Sequence, residues 1–330
     1  MRILVTGGAG YIGSHCVRVL VAAGHQVCVY DSLLYGHRAA VHPRAEFVHA
    51  DLCDIERLRS VFSAGRFDAV MHFAALASVP ESVADPLRYW RANLTHSLHL
   101  LECMKEAGVP RIVFSSTCAV YGEPQKLPIV EDLPKRPINP YGQTKLAVEQ
   151  MLESSAAAWG LGAVALRYFN ACGAAEDGSI GEDHTPETHL IPIVLQVALG
   201  QRQAVSVFGD DYPTPDGSCV RDYIHVDDLA DVHRLAIERV RPGAFEAFNV
   251  GTGRGHSVLE VIAAARDVSG CDISLAKAPR RPGDPPSLYA DAARIMRAYD
   301  WRPRHTDLHA IVQSAWNWHR GHPRGFRSEA

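Results

Sequence analysis

Short apolar runs and longer amphipathic stretches alternate through the first half of this chain. Runs at 2–6, 26–30, 45–49, 68–73, 110–115 and 162–168 have the length and character of buried strands. The stretches near 12–23, 54–63, 86–107 and 141–158 read as helices. Strand–helix alternation of this kind predicts an α/β domain, with a parallel sheet covered by helices on both faces. Ligands in such sheets bind beyond the carboxyl ends of the strands. The residues that directly follow the strand runs are therefore the first candidates: Gly7 to Gly13, Asp31, Asp51 and Leu52, Phe73, Ala74 and Ala75, Ser115 to Thr117, and Phe169 with Asn170.

The pattern changes in the second half. Segment 170–189 is polar, 208–221 is rich in Gly, Pro and Asp, and 278–287 carries Pro279, Pro282, Gly283, Pro285 and Pro286. Helical patterns near 188–200, 227–240, 257–268 and 305–319 are set among these loops, which suggests a smaller C-terminal domain of short elements. Residues 223–250 (YIHV, a helix, then FNVG) resemble one more parallel-sheet unit. The expected division is 1–170, with 223–250 returning to it, and 171–330.

Composition narrows the class. A hydrophobic content of 47% with 21% charged residues is that of a globular domain. A net charge of −4 with no basic face argues against nucleic acid and anionic membrane as partners. No window approaches 18 apolar residues, so no membrane span is expected. The chain opens directly on a core strand, leaving no room for a signal peptide, and the cytoplasm is the expected location. The eight cysteines are scattered without a C-x-x-C; several lie in apolar runs and read as small buried residues, and no disulfide framework is expected.

Chemistry enters at the first strand. RILVT runs into GGAGYIG, then a helix, then QVCVYD ending at Asp31. Gly8, Gly10 and Gly13 fit the G-x-G-x-x-G spacing, and Gly7, Gly10 and Gly13 fit a wider G-x-x-G-x-x-G. The glycines allow a tight turn and close backbone approach to a pyrophosphate. The helix start at Tyr11, Ile12 and Gly13 offers N–H groups and the positive end of a dipole to that anion. Asp31 stands 18 residues beyond Gly13. A carboxylate there accepts from a ribose diol and repels a 2′-phosphate, which favours NAD over NADP. The expected fold is a Rossmann-type doubly wound parallel sheet.

Tyr141 and Lys145 lie four apart in PYGQTK, at the start of a helix that Pro140 can open. An ammonium beside a phenol favours phenolate, so Tyr141 is expected to titrate below its usual value near 10 and to serve as a base. Thr117, 24 residues upstream and just after a strand, supplies a hydroxyl for the same substrate oxygen. Other motifs carry less. GEDHTPETH at 181–189 gathers Glu182, Asp183, His184, Glu187 and His189 without a recognised metal-ligand spacing, so it reads as a loop over a substrate and no metal is expected. Gly251, Gly253 and Gly255 imitate a second dinucleotide turn but lack a following strand that ends in an acid. Cys118 has no neighbouring histidine to activate it.

These motifs together resemble the extended short-chain dehydrogenase/reductases, and within them the UDP-glucose 4-epimerase family. The likeness covers nearly the whole chain: LVTGGAGYIGSH, HFAAL at 72–76, FSSTCAVYG at 114–122, PYGQTK, LRYFNACGA at 166–174, DYPTPDGSCVRDYIHVDDLAD at 211–231 and PRRPGD at 279–284. The resemblance implies an isomerase that interconverts UDP-galactose and UDP-glucose. Tyr141 would take the proton from the sugar 4-hydroxyl, hydride would pass from C4 to NAD, and the 4-keto sugar would turn and take hydride back on its other face. Lys145 would hold the nicotinamide ribose, and Thr117 stands where the family has Ser or Thr. Asp51 and Leu52 match adenine-side positions, Phe73, Ala74 and Ala75 the strand end beside the dinucleotide, and Phe169 the nicotinamide side. For the UDP-sugar, the resemblance implies Thr117, Asn170, His189, Leu190, Phe208, Arg221, Arg281 and Asp284, with residues 171–330 as the substrate domain. It also implies a homodimer paired through the helices near 86–107 and 141–158.

The chain departs from the family at Ala77, where many relatives carry a lysine near the cofactor. Leu288 stands where the family varies between bulky and small residues, and bulk goes with exclusion of N-acetylated sugars. Leucine is intermediate, so UDP-N-acetylglucosamine and UDP-pentoses stay open as alternatives. A 4,6-dehydratase would carry an Asp–Glu pair directly after the threonine; Cys118 and Ala119 follow here.

Overall fold

Each of the six apolar runs forms a strand. The computed structural model describes residues 1–281 and 284–326, so Pro282 and Gly283 of the proline-rich segment lie outside the described residues. The strands are β1 (Arg2–Thr6), β2 (Gln26–Asp31), β3 (Glu46–His49), β4 (Ala69–His72), β5 (Arg111–Thr117) and β6 (Gly162–Tyr168). They pair in parallel, and the strand Phe245–Val250 joins next to β6. The order across the seven-stranded sheet is Phe245–Val250, β6, β5, β4, β1, β2, β3. The winding reverses between β1 and β4, and a crevice for a ligand opens beyond the strand ends at such a point.

The helices seal this sheet with apolar faces. Leu58 and Phe62, one turn apart on α2 (Ile55–Gly65), pack with Leu4, Tyr30, Leu100, Phe114 and Leu152 in one buried cluster. Asp54 caps α2 by accepting from the Arg57 N–H at 2.9 Å. The stretch 86–107 is not one regular helix. A short helix Pro86–Tyr89 passes through a π-helical stretch, Trp90–Thr95, into the α-helix His96–Ala107. Buried Asn93 accounts for the bulge: its amide donates to the Leu76 carbonyl (3.0 Å) and the Thr144 hydroxyl (3.1 Å) and accepts from the Leu76 N–H (2.8 Å).

The chain divides into two compact units: Met1–Glu123 with Glu131–Tyr168 and Ala230–Asn249, and Pro124–Val130 with Phe169–Leu229 and Val250–Ala330. Of the stretch 223–250, the strand Phe245–Val250 joins the large sheet, whereas the strand Val220–His225 pairs elsewhere. In the second unit Val220–His225 pairs with Asn170–Cys172, Gly255–Ser257 and Ser287–Leu288. Gly251 to Arg254 form a turn into the strand Gly255–Ser257, not a helix, so this glycine group does not build a dinucleotide turn. Helices Leu190–Ala198, Val258–Ser269 and Leu308–Gly321 share a core through Ile191, Leu195, Val261, Ile311 and Trp316. Among the described residues no helix is long and apolar enough to cross a membrane.

Candidate active site

The glycine turn follows β1 and leads into the helix α1 (Tyr11–Ala22). Gly7 has φ +73°, and a Cβ there would lie 2.5 Å from the Ala74 nitrogen. That bareness lets the turn lie against the end of β4, where Phe73 and Ala74 both donate to the Thr6 carbonyl (2.9 and 3.1 Å). The Phe73 ring lies 4.9 Å from that of buried His233. A Cβ on Gly13 would lie 2.2 Å from the Gly7 carbonyl oxygen, so α1 can seat on the turn only with glycine there. Gly10 caps α1 without a side-chain hydrogen bond.

Asp31 ends β2 beside this turn. Its carboxylate accepts from the backbone N–H of Ala9 (2.9 Å) and Leu33 (2.8 Å). Burial raises its pKa, and those two hydrogen bonds act against the rise. The Asp51 carboxylate accepts from the Cys53 N–H at 2.8 Å. The Leu52 side chain belongs to the hydrophobic core.

Thr117, Tyr141 and Lys145 come together. Thr117 is the last residue of β5, and its hydroxyl accepts from the Ala119 N–H at 3.1 Å. The helix Pro140–Trp159 starts alongside, capped by Asn139, which accepts from the Gly142 N–H at 2.9 Å. A Cβ on Gly142 would meet the Ala119 carbonyl oxygen at 2.7 Å, so glycine directly after Tyr141 sets how closely the helix approaches the residues after Thr117. The Thr117 hydroxyl is close enough to the Tyr141 phenol to lower its pKa. The Lys145 ammonium donates to the Ser115 carbonyl at 2.8 Å and stands 5.9 Å from the Tyr141 ring centroid.

The electrostatics differ from the sequence expectation. Burial pushes the Tyr141 phenol up to about 12, and the neighbouring Thr117 hydroxyl works the other way. Burial pushes Lys145 down to about 7, opposed by Glu149 one turn further on. Both shifts have one physical cause: the surroundings disfavour any isolated charge. A phenolate opposite an ammonium is neutral as a pair, so each charge favours formation of the other.

In the second unit, Asn170 donates to the Asp222 carbonyl at 3.1 Å. Arg221 pairs with Asp284 and also donates to the Val220 carbonyl (2.8 Å). The Arg281 guanidinium lies over the Phe208 ring, 3.8 Å from its centroid. The His189 ring turns to Glu182, and Leu190 opens the helix Leu190–Ala198. Phe169 is buried directly after β6. Ala77 is exposed, and Leu288 is half-buried in the short strand Ser287–Leu288.

Several residues that shape these surroundings escaped the sequence reading. Asn93 ties Leu76 to the helix that carries Lys145. Asp222 is fully buried and accepts from Thr252 (2.9 Å from N–H, 2.7 Å from the hydroxyl), Gly253 (3.1 Å) and Ala290 (3.1 Å). Its position beside Arg221 in the block 211–231 was the available signal.

A doubly wound sheet with a glycine turn, an acid ending β2 and a Thr–Tyr–Lys group defines a dinucleotide-dependent enzyme, and the chain belongs to the NAD dependent epimerase/dehydratase family, matching it over residues 3–251. It is 52% identical to UDP-glucose 4-epimerase of Halalkalibacterium halodurans, over 100% of this chain and 98% of that one. It is 51% identical to that of Lacticaseibacillus casei, over 99% of each. The crystal structure of UDP-glucose 4-epimerase from Bifidobacterium longum in complex with NAD+ and UDP superposes with a TM-score of 0.95 at 40% identity, covering 99% of this chain and 100% of that one.

The residues present fit the family's cofactor. A Cβ on Gly7, Gly8 or Gly13 would strike the protein's own atoms within 3 Å, whereas one on Gly10 would meet nothing nearer than 3.4 Å. Internal packing thus explains three of the glycines but not Gly10. Its bareness, together with a helix start that no side chain caps, keeps that surface clear for an anion.

Proposed function

We propose that this chain is an NAD-dependent UDP-sugar 4-epimerase that interconverts UDP-galactose and UDP-glucose. The observation that carries the reading is the gathering of Thr117, at the end of β5, with Tyr141 and Lys145, whose ammonium stands 5.9 Å from the Tyr141 ring centroid and donates to the Ser115 carbonyl. Gly7, Gly10, Tyr11, Ile12 and Gly13 hold the pyrophosphate, Asp31 the adenosine ribose, Asp51 and Leu52 the adenine side, and Phe73, Ala74, Ala75 and Phe169 flank the rest of the dinucleotide. When bound, NAD accepts hydride from the sugar carbon, returns it, and brings a positive ring. Tyr141 takes the proton of the 4-hydroxyl and gives it back. Lys145 holds a ribose and supplies the positive charge that a buried phenolate requires. Thr117 fixes the reacting oxygen by hydrogen bonding.

Residues of the second unit bind the nucleotide. Arg221 and Arg281 neutralise the diphosphate, Asp284 accepts from ribose hydroxyls, Phe208 offers an apolar wall to uracil, and Asn170, His189 and Leu190 complete the contact. The active form is a homodimer joined through the helical stretches near 86–107 and 141–158, a reading supported by exposed Leu87 and Leu98 on the first of them. The eight cysteines are free thiols, which agrees with a reducing compartment, and we place the enzyme in the cytoplasm.

The test is to incubate purified protein separately with UDP-galactose, UDP-N-acetylglucosamine and UDP-arabinose, without added cofactor. Epimer formation fastest from UDP-galactose is the expected result. No epimer from any of the three, even with NAD added, overturns the assignment.

A further inference from the structure

One segment of the second unit, GEDHTPETH, folds so that four side chains converge. One donor atom each from Glu182, His184, Glu187 and His189 lies within 4.8 Å of every other. The two glutamates are 3% and 7% exposed, so both carboxylates are held largely out of water. Glu187 Oε1 accepts from the N–H groups of Thr188 (2.7 Å) and His189 (2.8 Å), which fixes the orientation of that carboxylate.

The separations between donors are informative. His184 Nδ1 is 3.4 Å from Glu182 Oε1 and 3.7 Å from Glu187 Oε2, and His189 Nδ1 is 3.9 Å from Glu187 Oε1. His189 Nδ1 also contacts Glu182 Oε1. An N–H···O hydrogen bond ends at about 3.2 Å. Donors around a tetrahedral ion with bonds of about 2.0–2.2 Å stand about 3.3–3.6 Å apart. The 3.4 Å separation falls within that span and those of 3.7 and 3.9 Å lie just beyond it, all three too long for direct hydrogen bonds, while the direct His189–Glu182 hydrogen bond is the one an ion would replace. A cavity of about 170 Å³ adjoins the cluster, lined by Glu182, His184 and Glu187 with His319 and His322, and gives an ion room to enter.

We propose that Glu182, His184, Glu187 and His189 form a site for one divalent ion of the zinc class. Two imidazoles with two carboxylates suit zinc and its transition-metal neighbours, whereas calcium and magnesium take oxygen donors in larger number. Two carboxylates against a dication leave the site neutral, which removes the cost of burying isolated anions. Four protein ligands with no open position describe a structural site. The ion would pin residues 182–189 at the start of the helix Leu190–Ala198, which begins one residue after His189. The spacing E-x-H-x-x-E-x-H matches no familiar metal motif, and for that reason the sequence pointed to a loop over a substrate without a metal.

The test uses the full-length protein, stripped with a chelator and then titrated with zinc chloride under calorimetry, with metal content measured after dialysis. One zinc per chain and a raised thermal midpoint are expected. His184→Ala and Glu187→Gln should each weaken binding by more than about 100-fold. Cobalt(II) added to the unmutated protein provides a readout that does not depend on a variant folding, because a four-coordinate site gives intense visible bands. Absence of stoichiometric zinc, variants that bind like the parent, or only the weak spectrum of six-coordinate cobalt would each overturn the proposal. None of these readouts requires the epimerase reading to be right.

Discussion

The Arg167 guanidinium grips the Glu149 carboxylate in a fork, with Nε 2.9 Å from Oε1 and Nη2 2.5 Å from Oε2. Both side chains are almost fully buried. The Ser116 hydroxyl donates to Glu149 (2.6 Å), and Arg167 also donates to the Tyr121 hydroxyl (2.8 Å). Glu149 lies one helical turn from Lys145 and favours its charged form. The pair therefore bears on stability and on the chemistry of the site.

Breaking it from one side leaves a buried charge without its partner. Arg167→Met is expected to destabilise the protein by about 3–5 kcal/mol, and Arg167→Met with Glu149→Gln by less than the sum of the two singles. Urea unfolding of the four proteins of the cycle measures this.

Glu149→Gln should also move the alkaline limb of the kcat–pH profile to lower pH. The carboxylate holds the Lys145 pKa up against burial, so its loss lets the ammonium deprotonate earlier. A limb that stays in place would show that Lys145 is not the group titrating there.

Lys145→Met should abolish a specific pH dependence of stability. The Lys145 pKa is depressed from 10.5 to about 7 on folding. The unfolded chain therefore binds the extra proton between those values, and stability rises with pH across that window. The penalty is full below pH 7 and gone above 10.5, with an upper bound of about 5 kcal/mol at about 1.4 kcal/mol per pH unit. The variant should exceed the parent in stability at pH 6 and converge towards it near pH 10, as measured by denaturant unfolding of both proteins in the same cofactor state.

Tyr141→Phe should lower kcat by about 10³-fold or more, since the proton of the 4-hydroxyl is assigned to its phenol. UDP affinity should change by less than about threefold, because the UDP contacts are assigned to other residues. Turnover near that of the parent would remove Tyr141 from its role as base.

Leu87→Glu tests the dimer. Leu87 is 74% exposed, so the substitution costs an isolated chain little, whereas it places a charge in the proposed contact. Light scattering should report a dimer for the parent and a monomer for the variant at micromolar concentration. A monomeric parent would count against the proposed assembly.

Local order along the chain was enough to reveal much of this molecule. The strand runs, the glycine turn and Asp31 are neighbours in sequence or separated by one helix, so periodicity and spacing carry them directly. Tyr141 and Lys145 share a helix face for the same reason. What escaped were contacts between distant segments: Asn93 with Leu76 and Thr144, Arg167 with Glu149, and Asp222 with Thr252, Gly253 and Ala290. Each is a buried polar residue whose partner is fixed by packing, not by spacing.

The sequence by itself determined the parallel sheet, the place of the dinucleotide turn and the residue types of the Thr–Tyr–Lys group, because backbone geometry repeats with fixed periods along the chain. Only the tertiary structure decided how charge behaves there. Burial raises the phenol and lowers the ammonium at once, and desolvation depends on everything packed around a group, most of it far away along the chain. For the same reason the convergence of Glu182, His184, Glu187 and His189 appeared only once the segment was folded, since the path of a loop is set by the core it lies on.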